Sequence, residues 1–204
     1  MSQIIDIDKN KWGPIAWNLI HNFSIKSKNN DCMYILIKTF GYLLPCPVCR
    51  KHYNYLINDI YKLEKENCTK DYMIKYLYEI HNIINENLDK KIKISFKKCK
   101  ELHKKTNNPD IIFFIVMIYS SINYKKISFN EFDKIYNFFV CFLKIYPNNK
   151  MQENFKKILK NKNFIDSDTP ITFSNWFHKY FKELDYIKKY YVKGKKNVLI
   201  LFKE

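Results

Sequence analysis

The sequence predicts an all-α protein: a compact helical bundle in residues 1–105 followed by a second, mainly helical domain in residues 106–204. Three observations carry this. The 204 residues include only 3 glycines and 6 prolines, so little of the chain is punctuated by turns. Hydrophobic residues make up 47% and aromatics 17%, enough for a sizeable core. Apolar positions recur at intervals of three and four, the period of an amphipathic helix.

Gly13-Pro14, followed by Ile15, Ala16, Leu19, Ile20 and Phe23, reads as a helix starting at a proline. Residues 31–44 give a second helix with Ile35, Leu36, Phe40 and Leu43 inward, ended by Pro45. Pro47 suits the first position of a third helix running to about Lys62, which leaves Cys46 at its cap and Cys49 in its first turn. Thr69 can cap a fourth helix with Met73, Leu77, Ile80, Ile84 and Leu88 on one face, and a short fifth helix fits Phe96 to Lys104. Thr106-Asn107-Asn108-Pro109 is the best linker. Beyond it come an apolar helix from about Asp110 to Ile122 and one opened by the capping-box pattern Ser128-Phe129-Asn130-Glu131, running to about Tyr146. Helices over roughly 151–161 and 174–192 follow, with Ser174 as a cap and Gly194 as a stop, and Val198 to Phe202 could pair as a strand. No internal repeat is visible.

The formal charge is +16, from 36 basic and 20 acidic residues, and Arg50 is the one arginine. Such a balance invites nucleic acid or anionic membrane. The excess is spread along the chain, however, and the joint richness in Lys, Asn, Ile, Tyr and Phe reads as a bias of the coding genome. A solvated lysine coat accounts for it without specific nucleic-acid binding. The first residues are acidic and polar, unlike a signal peptide, and the longest apolar run, Ile111 to Tyr119, is short of the ~20 residues a bilayer needs. The expectation is a soluble, non-secreted protein, in whose compartment a CxxC is catalytic or metal-binding rather than a static staple.

Cys46-Pro47-Val48-Cys49 at a helix start places thiols where free backbone N–H groups and the helix dipole stabilise a thiolate, with Arg50 and Lys51 adding positive charge. Such a pair can close a small disulfide ring and exchange electrons with another dithiol. Zinc is the rival: Cys46 and Cys49 could combine with Cys99 and His103, or with His52. The separation of the halves is longer than in compact zinc modules, and a strongly periodic helix intervenes. Two further stretches weigh on the choice. His81, Asn82 and Asn85 share a helix otherwise filled by core residues, and polar groups there need partners such as an adenine, ribose or pyrophosphate. Trp12, Trp17 and His21, at intervals of five and four, suit packing against a flavin or its adenine.

The order WGPxxWxxxH, then CxxC, then a helix bearing HNxxN with a following leucine and lysine, resembles the Erv/ALR family of flavin-linked sulfhydryl oxidases over residues 10–104. The composition is similar to the branch encoded by large cytoplasmic DNA viruses. The resemblance implies a five-helix FAD-binding bundle, a homodimer, that converts thiols of protein substrates to disulfides and passes electrons through FAD to oxygen, giving hydrogen peroxide. It implies Cys46 and Cys49 as the redox pair, Cys49 facing the flavin and Cys46 attacked by the incoming thiolate. Gly13, Trp17, His21, Tyr78, His81, Asn82, Asn85, Leu88 and Lys90 would surround FAD, Lys90 partnering the pyrophosphate, with Phe96 and His103 as weaker contacts. No resident metal is implied, nor a specific nucleic acid or a membrane span, and the location would be host cytoplasm or virion. A zinc-stabilised or basic nucleic-acid-binding helical protein is the alternative.

The chain departs from the family in three places. Cellular members carry a cysteine where Tyr78 stands, so their additional disulfide across this region is not expected; a family tryptophan is Tyr76; and the glycine of the usual LGK stretch is Asp89. No second CxxC is present, so a shuttle dithiol has no counterpart, and Cys32, Cys68, Cys99 and Cys141 read as buried small hydrophobes, with Cys68 the most exposed-looking. Residues 106–204 carry no motif. The Trp176, Phe177, Tyr180 and Phe181 cluster beside His178 reads as a core helix with an exposed histidine.

Overall fold

A computed structural model describes residues 9–44, 46–90, 94–105, 127–146, 149–162, 166, 169, 171–173 and 175–176. Helices and turns make up the described residues, with no strand among them, as the composition predicts. The helix expected over 110–122, most of that over 174–192, and the strand expected over 198–202 lie outside them.

Helix α1, Lys9–Lys26, begins upstream of the expected start, and Pro14 lies inside it, exposed. Proline there removes a single bond, to the carbonyl four residues back, while its fixed φ already suits a helix. Trp12, Ala16, Leu19, Ile20 and Phe23 form the buried stripe. Helix α2, Asn30–Thr39, is capped by Asn29, whose side chain accepts from the Cys32 N–H at 2.9 Å. It is shorter than expected: residues Phe40–Leu43 tighten into a 3₁₀ turn, and Leu44 is extended at ψ 133°, the conformation that a following proline imposes. Gly41 sits where this turn crosses α3, and any Cβ there would overlap the side chains of Asn54 and Tyr53.

Helix α3, Pro47–Tyr55, has Pro47 in its first turn and Cys46 as its cap, as expected. It widens into a π-turn at Leu56–Ile60 and stops short of Lys62. Helix α4, Lys70–Asn87, starts at Thr69, whose hydroxyl accepts from the Tyr72 N–H, and buries Met73, Ile74, Tyr76, Leu77 and Ile80. Leu88, on the same face in sequence, is the C-cap of α4 and is 42% exposed. Helix α5, Phe96–Lys105, returns along α1.

Helix α6, Phe129–Ile145, opens with the expected capping box, in which the Ser128 hydroxyl accepts from the Glu131 N–H and the Glu131 carboxylate accepts from the Ser128 N–H. Helix α7, Asn149–Leu159, follows. The most extensive contact between described elements is α2 against α6. Phe142 stacks on Phe23 at 5.3 Å between ring centroids, and Phe138 reaches Phe40 at 6.4 Å, so both halves of the chain contribute to one hydrophobic cluster.

Candidate functional site

Between α1, α3, α4 and α5 lies a cavity of about 580 Å³, within the range of ligand and cofactor sites. Its walls bring together Gly13 and Trp17 from α1, Cys46 and Cys49 at the start of α3, and Tyr78, His81, Asn82 and Asn85 from α4. Leu88, Lys90 and His103 line it as well.

The chemistry begins at the start of α3. Cys46 and Cys49 pair as a disulfide, their Cα atoms 5.1 Å apart, and the Cys46 sulfur accepts from the Cys49 N–H at 3.2 Å. A cap that receives a backbone N–H stabilises negative charge on that sulfur once the bond is reduced. Arg50 donates from Nε to the Leu44 carbonyl, which ties the helix to the strand of chain entering the CxxC. Cys46 and Cys49 are both half-buried and line the cavity, and Val48 between them is 75% exposed.

The opposite wall is aromatic. Trp17 lies face to face with His81, and His21 lies almost parallel to His103 at 4.6 Å between centroids. His21 does not line the cavity: it is buried behind the wall and shares a 3.1 Å hydrogen bond between its Nε2 and His81 Nδ1. His103 donates from Nδ1 to Asn18 Oδ1 at 2.8 Å, which ties α5 to α1. Burial, and then the neighbouring imidazoles, holds His21 well below the usual histidine range. Burial, then His103 and Lys90, brings His81 down to about 4. The wall is therefore neutral at physiological pH, a surface suited to a flat aromatic ring.

Tyr78 lines the cavity and donates to the Ile94 carbonyl at 2.9 Å, while its ring meets Phe96, which itself stays off the wall. Lys90 is placed by the end of α4. The Lys90 N–H bonds the Asn85 carbonyl and the Asp89 N–H the Glu86 carbonyl, the paired bonds of a Schellman motif. Such a motif requires a left-handed residue, and Asp89 takes that place at φ 52°. The departure from glycine thus keeps both the turn and the lysine.

Sequence reasoning missed Phe40, Leu44, Tyr53 and Cys99 as wall residues. Tyr53 lies one turn beyond Cys49, a spacing that could have flagged it; it is fully buried and donates to the Ile37 carbonyl. Phe40 and Leu44 could not be found, because the tightening of the chain after α2 brings them there. His21, Cys99 and His103 place ligating atoms within 4.8 Å of one another, a grouping that excludes Cys46 and Cys49. The imidazoles of that trio lie nearly parallel and each is already hydrogen-bonded, so it reads as packing in and behind the wall rather than as a metal centre.

Two features of the cavity fit a large aromatic cofactor. The buried indole N–H of Trp12, on the wall, has no hydrogen-bond partner, leaving a donor for an incoming acceptor. A Cβ at Gly13 would meet nothing within 4 Å, so glycine leaves open space on the wall.

No solved structure matches the chain. A protein of Acanthamoeba polyphaga mimivirus, named a "Probable FAD-linked sulfhydryl oxidase", is 25% identical over 105 residues, covering 48% of this chain and 73% of that protein. The model of the Erv1 / Alr family matches residues 14–107, which take in the CxxC, the Trp17 wall and His103.

Proposed function

We propose that the chain is a FAD-linked thiol oxidase that makes disulfide bonds in protein substrates, as the name of its giant-virus relative suggests. The single observation that carries this is the half-buried Cys46–Cys49 disulfide on the wall of an aromatic-lined cavity of about 580 Å³.

A substrate thiolate attacks Cys46, at the half-buried rim, and Cys49 leaves as a thiolate. A second substrate thiolate attacks the substrate sulfur of that mixed disulfide, which releases Cys46 and completes the substrate disulfide. The Cys49 N–H and the start of α3 stabilise the resulting charge. Trp17, His81, Asn82 and Asn85 would hold FAD, with the Trp12 N–H as a further donor and Lys90 facing its pyrophosphate. The chemistry supplied by bound FAD is a two-electron sink for the dithiol, emptied by oxygen with hydrogen peroxide as product. On this reading residues 1–105 carry the reaction, residues 106–204 are a second helical domain, and the protein is a homodimer acting in host cytoplasm or virion. No described helix is long and apolar enough to cross a membrane.

The test is the visible absorption spectrum of the purified protein with and without a dithiol. Oxidised-flavin bands that bleach on dithiol addition and return in air are expected. Colourless protein containing stoichiometric zinc would overturn the reading.

A further inference from the structure

The four free cysteines among the described residues differ in their surroundings. Cys68 donates its thiol to the Glu64 carbonyl at 3.1 Å, and Cys99 faces the cavity. Cys32 and Cys141 face each other. Cys32 sits in the first turn of α2, where its N–H is taken by the Asn29 cap, and Cys141 lies in the last two turns of α6. They hydrogen-bond thiol to thiol across the most extensive helix contact of the structure, and both are at most 6% exposed.

We propose that Cys32 and Cys141 form a disulfide that staples α2 to α6, and that it is made by the Cys46–Cys49 centre of another copy of this chain. The two thiols lie within hydrogen-bond reach of each other on the packed faces of α2 and α6, the placement from which a disulfide can close. The pair is also polarised. The bond from Cys141, followed in weight by burial acting against it and by Lys144, brings Cys32 down to about 7, while donating that bond pushes Cys141 up. Asp31 opposes the shift at Cys32, and the free N–H groups of the first turn of α2 favour it. In the docked pair Cys32 is the more acidic thiol.

The exchange balances. With α6 opened from α2, the Cys32 thiolate attacks Cys46 of the other copy's disulfide and Cys49 leaves as a thiolate. The Cys141 thiolate then attacks Cys32, forming the Cys32–Cys141 bond and releasing Cys46. Two thiols are oxidised, one disulfide is reduced to a dithiol, and the protons pass to solvent. The source of the oxidant rests on the proposed function; the bond does not.

The experiment is differential alkylation of the full chain purified in air. The protein is unfolded in denaturant with N-ethylmaleimide present to block free thiols, digested without reductant, and linked peptides are read by mass spectrometry. The expected result is a Cys32–Cys141 linked pair, with Cys68 and Cys99 carrying maleimide. The same linkage absent from the C46S/C49S double variant, but restored there by diamide, supports both the bond and its origin. Linkage in both proteins without diamide keeps the bond and overturns its origin. Maleimide on both Cys32 and Cys141 even after diamide overturns the bond, whatever the flavin spectrum shows. As a second readout, C141A should lower the thermal midpoint by about 10 °C against the oxidised parent, and the gap should close in reductant. A gap that persists in reductant would mark a packing role alone and count against the staple.

Discussion

Trp17 and His81 stack face to face, their ring centroids 4.1 Å apart and their planes within 7° of parallel. The contact joins α1 to α4 across the cavity wall, and its burial favours a neutral imidazole. Burial is the largest cause that brings His81 to about 4, so the folded state binds fewer protons than the unfolded chain, whose histidine titrates near 6.5. The stability from this group is fully present above pH 6.5 and is lost as the pH falls towards 4. The drop corresponds to about 3 kcal/mol. Burial acts on His21 in the same direction. Urea titrations at steps from pH 7.5 to 4.5 should show this loss, and His81→Asn should flatten the slope. An equal slope in the variant would assign the acid sensitivity elsewhere.

Cys49→Ser is expected to lower dithiol oxidation at least a hundredfold, roughly the scale of losing a nucleophile, while the flavin bands stay. The side chain shrinks little and the wall formed by Trp17, His81 and Asn82 is untouched. Cys46→Ser should do the same to turnover by removing the sulfur at the rim. Retained oxidase activity in either variant would sink the role assigned to the pair.

Asp89 holds a left-handed conformation at φ 52° that costs a residue with a Cβ roughly 1 kcal/mol relative to glycine. Asp89→Gly removes that cost and adds freedom to the unfolded chain, which offsets part of it. The expected net effect is a gain of about 0.5 kcal/mol in chemical denaturation, with Lys90 still on the cavity wall. Asp89→Val should instead destabilise by more than 1 kcal/mol, roughly, since a β-branched residue tolerates this region poorly. A neutral valine variant would show that the turn is not held as described.

The helix starts were legible because their signals are local. Pro47 after Cys46, Thr69 before α4 and the Ser128–Glu131 box each fix a helix start through a backbone bond made within a few residues. Asn82 and Asn85 announced themselves as polar residues on an apolar helix, and both reach the cavity. What was lost depends on distant contacts. Nothing near Gly13-Pro14 signals that α1 runs back to Lys9, because a single missing bond is outweighed by packing of the Trp12 stripe. His21 reads like a ligand contact from its spacing, yet the rotation of α1 turns it behind His81. Cys32 and Cys141 lie too far apart in sequence for any local pattern to join them.

Phe142 tests how far the two halves depend on one another. It is 1% exposed and touches Phe23 from α1, Tyr146 at the end of α6 and Phe155 from α7. Truncating a buried phenylalanine leaves a cavity as well as losing transfer free energy, together about 3–5 kcal/mol. Phe142→Ala should therefore destabilise the whole protein by that amount. Because Phe23 lies on the helix that also presents Trp17, the loss should be felt at the cavity. Heating the flavin-loaded protein should release flavin and melt helix in a single transition in both parent and variant, at a lower temperature in the variant. Two separated transitions, with flavin release unmoved, would mean that α6 and α7 unfold without disturbing the bundle that holds Cys46 and Cys49.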